Sequence, residues 1–158
     1  MKKLYLMRHA KSVWDDPQML DHDRRITEQG KLHAEKVAQH LRELNVKLDG
    51  MICSDAVRAR ETAMIVAHGL GFPEQNIVVN PKLYEESVGE LIEVIKAIPS
   101  QENSVMIVAH NPTLSWFATY LSNNSQVNLS TCGLFAMQFD MSSWEQITEI
   151  EGEVIKVC

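Results

Sequence analysis

The sequence predicts a three-layer α/β/α sandwich around a mostly parallel central sheet, and two observations carry that prediction. Short continuous apolar runs, clearest at residues 4–7 and 105–109, have the character of strands buried on both faces. Between such runs lie longer stretches whose apolar residues recur at helical spacing, and strands alternating with helices form parallel sheets covered on both sides. A length of 158 residues, 45% of them hydrophobic and 23% charged, fits one globular domain spanning residues 1–158.

Taken in order, the first run ends in Arg8-His9-Ala10-Lys11-Ser12, a strand delivering polar side chains to the edge where open α/β sheets bind ligands. Residues 13–25 are polar and aperiodic and predict a surface loop. Thr27 is placed to cap a helix whose apolar face is Ala34, Val37, Ala38, Leu41 and Leu44. A second strand, 48–53, runs through Ser54-Asp55 into a helix patterned by Ala59, Ala63, Val66 and Ala67. Ser54 is its natural N-cap, which puts Arg58 in the first turn and Thr62 one turn on. Residues 77–79 suggest a third strand, and Ser87-Val88-Gly89-Glu90 has the form of a capping box. The helix it opens buries Val88, Leu91, Ile92, Ile95 and Ile98 and stops at Pro99. After the fourth strand, 105–109, comes His110, with Asn111 as N-cap and Pro112 at the first position of a helix buried through Leu114, Phe117, Ala118 and Leu121. Residues 134–139 and 154–157, with Trp144 between them, predict one or two edge strands.

The formal net charge of -6 and a pI near 5.5 give no basic surplus for nucleic acid or an anionic membrane. Behind Met1-Lys2-Lys3 the apolar stretch stops at Met7, too short for a signal peptide or a membrane span. Cys53, Cys132 and Cys158 have spacings that fit neither a metal knuckle nor a redox pair and predict free thiols in a reducing cytoplasm. No close-spaced set of His, Cys and carboxylates suggests a metal, and no cofactor is expected.

Against this acidic background, basic groups occupy corresponding strand ends: Arg8 and His9 after the first strand, Arg58 after the second and His110 after the fourth. Parallel strands bring those ends together at helix N-termini, a local well for a phosphate dianion. The pattern resembles the histidine phosphatase superfamily, whose Arg-His-Gly signature is matched by Arg8-His9-Ala10 and whose later histidine is matched by His110 in Ala109-His110-Asn111-Pro112. The stretch from Ser54 to Ala63 is similar to the family's second motif, and Asp23-Arg24 with Thr27 and Gly30 to its approach to the first helix. Length and the Arg-His-Ala-Lys-Ser opening are most similar to the small SixA-type phosphohistidine phosphatases, and the resemblance implies a phosphoglycerate-mutase-like fold.

The resemblance further implies that His9 is a nucleophile forming a transient phosphohistidine, with Arg8, Arg58 and His110 stabilising the transferring phosphoryl group. It points to Glu85, with Glu86 beside it, as the proton donor. The helix start just beyond favours their ionised form, so the same glutamates also read as solvated residues supporting that helix. Lys11 and Ser12 read either as further phosphate contacts or as solvated loop residues. Ala10 stands where most of the family has glycine, and in the left-handed region alanine would cost roughly 1 kcal/mol. The implied partner is a protein carrying phosphohistidine, approached over an open shelf because no long insertion is available as a lid. Three other readings stay open: a phosphomonoesterase of the phosphoglycerate-mutase type, a non-catalytic phosphate-binding module, and a metal-dependent hydrolase.

Overall fold

In a computed structural model that describes residues 1–84, 87–123 and 125–155, ten regular elements follow the predicted alternation. They are β1 (Lys2–Arg8), α1 (Glu28–Glu43), β2 (Gly50–Cys53), α2 (Val57–Leu70), β3 (Ile77–Val79), α3 (Val88–Lys96), β4 (Ser104–Ala109), α4 (Thr113–Leu121), β5 (Leu134–Phe139) and β6 (Gly152–Ile155). The sheet order is β3-β2-β4-β1-β5-β6. β3, β2, β4 and β1 are parallel, while β5 and β6 add antiparallel at one edge.

Side chains alternate across a strand, and in β1 this separates two cores. Leu4 and Leu6 join Val105, Ile107 and the apolar faces of α3 and α4. Tyr5 and Met7 join Met51, Met106, Val108 and the faces of α1 and α2 on the other side. These are the three layers. Lys2 is a buried member of β1, its ammonium donating to Ser100 O and to Asn103 Oδ1 at 2.7 Å.

Thr27 caps α1 as predicted, accepting from Gly30 N–H at 2.9 Å, and Ser87 caps α3 by accepting from Glu90 N–H at 3.1 Å. Two predicted caps are displaced. α2 is preceded by Ala56 with no side-chain cap, because Ser54 is still held in the sheet, its N–H donating to Val108 O at 3.0 Å. α4 begins at Thr113, and Asn111 instead accepts from the Ser115 N–H and hydroxyl at 3.3 and 2.8 Å. β6 begins two residues earlier than predicted, closing on β5 through Gly152 opposite Phe139; residues 156–158, Cys158 among them, are outside the described part. Cys53 and Cys132 are free and buried. Among the described residues no helix is long and apolar enough to cross a membrane.

Candidate active site

The parallel strands β1, β4 and β2 end level with one another: Arg8 is opposite Ala109, and Cys53 opposite Val108. Pairing runs one residue further, with His9 N–H donating to Ala109 O at 3.1 Å. His9, His110 and Ser54 therefore leave three adjacent strands at one edge, and the His9 and His110 ring centroids are 5.3 Å apart. The first turn of α2 adds Arg58. These side chains are largely covered: His9, Arg58 and His110 are each only 7% exposed.

His9 Nδ1 lies 2.7 Å from Ala10 O. A carbonyl can only accept, so Nδ1 carries the proton and Nε2 keeps its lone pair. Burial lowers the His9 pKa; the Ala10 carbonyl opposes this, and the charges of Arg58, Arg8 and Arg24 help bring it to about 4. The ring is thus neutral at pH 7. Ala10 is fully buried and outside the left-handed region, so the expected cost of replacing glycine does not arise. Its N–H donates to Thr62 Oγ1 at 2.9 Å, and Thr62 donates to Arg58 O at 2.7 Å, tying the loop after His9 to α2. Positive φ falls instead on Cys132, whose N–H is 3.1 Å from the carbonyls of both Arg8 and His9.

Each arginine is anchored by its outer nitrogens. Arg8 Nη1 donates to Leu129 O at 3.3 Å. Arg58 donates through Nη1 to Asp21 O at 2.7 Å and through Nη2 to Asp21 Oδ2 at 2.9 Å. Asp21 also accepts from Tyr84 Oη at 2.7 Å and from Arg24 Nη1 at 2.9 Å. Burial raises its pKa, but these hydrogen bonds and the Arg58 charge outweigh that and hold the carboxyl well below the usual carboxylate range. Burial, joined by the Arg58 charge, lowers the pKa of Arg8. Among the described residues, Arg8 Nε, Arg58 Nε, His110 Nδ1 and Asp55 Oδ1 are buried and have no hydrogen-bond partner. Buried polar atoms are almost always paired, so the three nitrogens, on side chains converging at one strand edge, mark a candidate ligand site.

The fold thus brings together Arg8, His9, Arg58 and His110. Ser12 faces another partner, its hydroxyl accepting from Arg24 Nη2 at 2.5 Å, and Lys11 is exposed. Glu85 and Glu86 lie outside the described residues. Three participants are not apparent from sequence reasoning: Asp21, Tyr84, and Ser54 in its actual role beside His110. The Arg58 spacing from Ser54 marks α2, but nothing within α2 announces an acid reaching it from the loop. His33, His40 and His68 are exposed, while His22 stands at the rim against the Tyr84 ring with Nε2 3.2 Å from Asp55 Oδ2. Among the described residues no group of three or more His, Cys, Asp or Glu is placed to hold a metal ion.

The histidine phosphatase superfamily (branch 1) profile matches residues 4–93. An uncharacterized chloroplastic protein of Arabidopsis thaliana is 34% identical over 159 aligned positions, covering 96% of this chain and 72% of its own. A protein of Erwinia tasmaniensis named as a phosphoglycerate mutase is 33% identical over 93 positions, 58% of this chain and 41% of that one. The structure of the phosphohistidine phosphatase SixA of Agrobacterium tumefaciens superposes with a TM-score of 0.82 at 25% identity, covering 98% of this chain and 96% of the other. The strand-end basic cluster and these matches agree: the chain belongs to the histidine phosphatase superfamily and has the architecture of its SixA-type members.

Proposed function

We propose that residues 1–158 act as one catalytic unit, a metal-independent phosphatase that removes phosphate from phosphohistidine on proteins through a phosphoryl group carried on His9. The observation that carries the reading is the set of nitrogens Arg8 Nε, Arg58 Nε and His110 Nδ1, unpartnered among the described residues, near His9, whose Nε2 keeps its lone pair. These are donors for phosphoryl oxygens beside a lone pair for phosphorus.

In the first step His9 Nε2 bonds to phosphorus as the bond to the substrate nitrogen breaks. A substrate ring protonated on its other nitrogen departs as neutral imidazole, so the P–N bond breaks without a strong general acid. The two guanidiniums neutralise the equatorial oxygens of a loose transition state. In the second step water attacks phosphorus, its proton passes to the departing phosphate, and the P–N bond to His9 returns its electrons to Nε2. Because Ala10 O holds the Nδ1 proton throughout, the phosphorylated ring is cationic and leaves as a neutral one. The low exposure of His9, Arg58 and His110 favours a phosphoryl group on a long arm, and an imidazole ring extends further from the backbone than a serine hydroxyl. The similarity to a mutase-named relative supports a second reading, a small-molecule phosphomonoesterase. The buried free thiols of Cys53 and Cys132 support a reducing, cytoplasmic setting.

The test is rapid-quench labelling with kcat/KM measured on phosphohistidine protein, phosphoserine peptide and a sugar phosphate, with and without chelator. Acid-labile, base-stable phosphate on His9 and preference for phosphohistidine are expected in both conditions. A sugar phosphate as best substrate would favour the second reading, loss of activity in chelator a metal-dependent hydrolase, and binding without turnover a phosphate-binding module.

A further inference from the structure

We propose that Ser54 is a positioning residue that fixes which nitrogen of His110 carries the proton, and so makes His110 a donor toward phosphate; this rests on the phosphatase reading above. Ser54 Oγ lies 2.8 Å from His110 Nε2, and Ser54 is completely buried. The same oxygen accepts from the Ala56 N–H at 3.2 Å. A serine hydroxyl has one proton to give. Directed at His110 Nε2, that proton meets a lone pair, and the single proton of the neutral ring must then reside on Nδ1. Nδ1 is buried and has no hydrogen-bond partner among the described residues, and it belongs with Arg8 Nε and Arg58 Nε in the same strand-edge cluster.

The reverse arrangement satisfies less. If His110 Nε2–H donated to Ser54, the hydroxyl would accept twice and its own proton would have no further acceptor recorded among the described residues. His110 Nδ1 would then present a lone pair to phosphate oxygens, repelling the group that Arg8 and Arg58 attract. A doubly protonated ring is also disfavoured, since burial first, then His9 and Arg58, lower the His110 pKa to about 3. The two histidines thus carry their protons on opposite nitrogens for opposite reasons. A carbonyl, which only accepts, holds the proton on Nδ1 of His9 and bares Nε2 for attack; a hydroxyl that donates bares Nε2 of His110 and leaves Nδ1–H to bind.

Geometry fixes the relay. Ser54 is hydrogen-bonded to Val108 in β4, two residues before His110, so hydroxyl and ring are held by the same pair of strands. One residue separates Ser54 from Ala56, the cap of the helix that carries Arg58, so the same hydroxyl also joins two groups of the phosphate cradle.

The experiment is a long-range 1H–15N correlation spectrum of the full chain labelled with 15N-histidine at pH 7, without substrate, alongside kcat/KM for wild type and Ser54→Ala. Wild-type His110 should show a protonated Nδ1 and a bare Nε2. In Ser54→Ala the proton should redistribute toward Nε2, and kcat/KM should fall roughly 10- to 100-fold, by analogy with removal of the group behind a metal-ligating histidine. A wild-type His110 protonated on Nε2 overturns the proposal, as does an unchanged tautomer in the variant. Should Ser54→Ala not fold, the wild-type spectrum alone decides. The tautomer is read without turnover, so an inert chain whose His110 is protonated on Nδ1 would sink the phosphatase reading and leave this assignment standing.

Discussion

His9 sits at a pKa of about 4, largely because it is buried among guanidiniums, and that has two measurable consequences. The acid limb of kcat/KM, once corrected for substrate ionisation, should fall near pH 4 and not near 6.5; a limb at the ordinary histidine value would mean that the ring is solvated. Stability should follow the same groups. In the unfolded chain both histidines titrate near 6.5, whereas in the fold His9 and His110 do so near 4 and 3, so the unfolded state takes up protons first as pH falls. Their contribution is intact above 6.5 and is lost progressively as pH drops through the folded values. The urea midpoint should therefore fall between pH 7 and pH 4, with a shallower fall in His9→Asn. Arg58→Ala should reduce kcat/KM by about 100- to 1,000-fold, the scale of losing one transition-state donor, while Arg60→Ala, on the exposed side of α2, should leave it within about twofold. Arg8, His9, Arg58 and His110 were legible because each follows a strand or opens a helix, where periodicity fixes position. Asp21 was not, since an aperiodic loop gives no hint that its carboxylate will reach a helix 37 residues on.

At the scale of elements, the alternation of strands and helices was readable throughout, and the errors lie at junctions. Ser54 was read as a helix cap because serine before a helical pattern ordinarily is one; what displaced it is one more rung of parallel ladder, a tertiary pairing that local sequence does not encode. Asn111 moved for a related reason, its side chain turning back to serve Ser115 and reaching Leu129 O at 2.6 Å. The join between the loop after His9 and α2 rests on Thr62, which is fully buried. Thr62→Val keeps the shape but strands the Ala10 N–H, so denaturant unfolding should register a loss of about 1–3 kcal/mol. Gly30 backs the same loop from α1, where a Cβ would come within 2.6 Å of Lys11 O. Gly30→Ala should therefore destabilise the fold, by about 1–3 kcal/mol as in other overpacked sites, and a neutral result would show that the loop gives way.

Across the whole molecule the three layers followed from composition and periodicity, but the strand order did not, because apolar runs of similar character do not say which neighbour each prefers. The order that results puts β1 between β4 and β5, both distant in sequence. Contacts so far apart along the chain make folding slow, in the millisecond-to-second range for comparable topologies, and stopped-flow refolding should show activity returning with the slowest tryptophan phase. The same placement bears on the birth of the protein. His9 leaves the ribosome with no strand to lie against, and at about 5–20 residues per second roughly 5–20 s pass before His110 is made. A growing chain thus carries the His9 imidazole through that interval without the His110 ring that stands beside it in the fold.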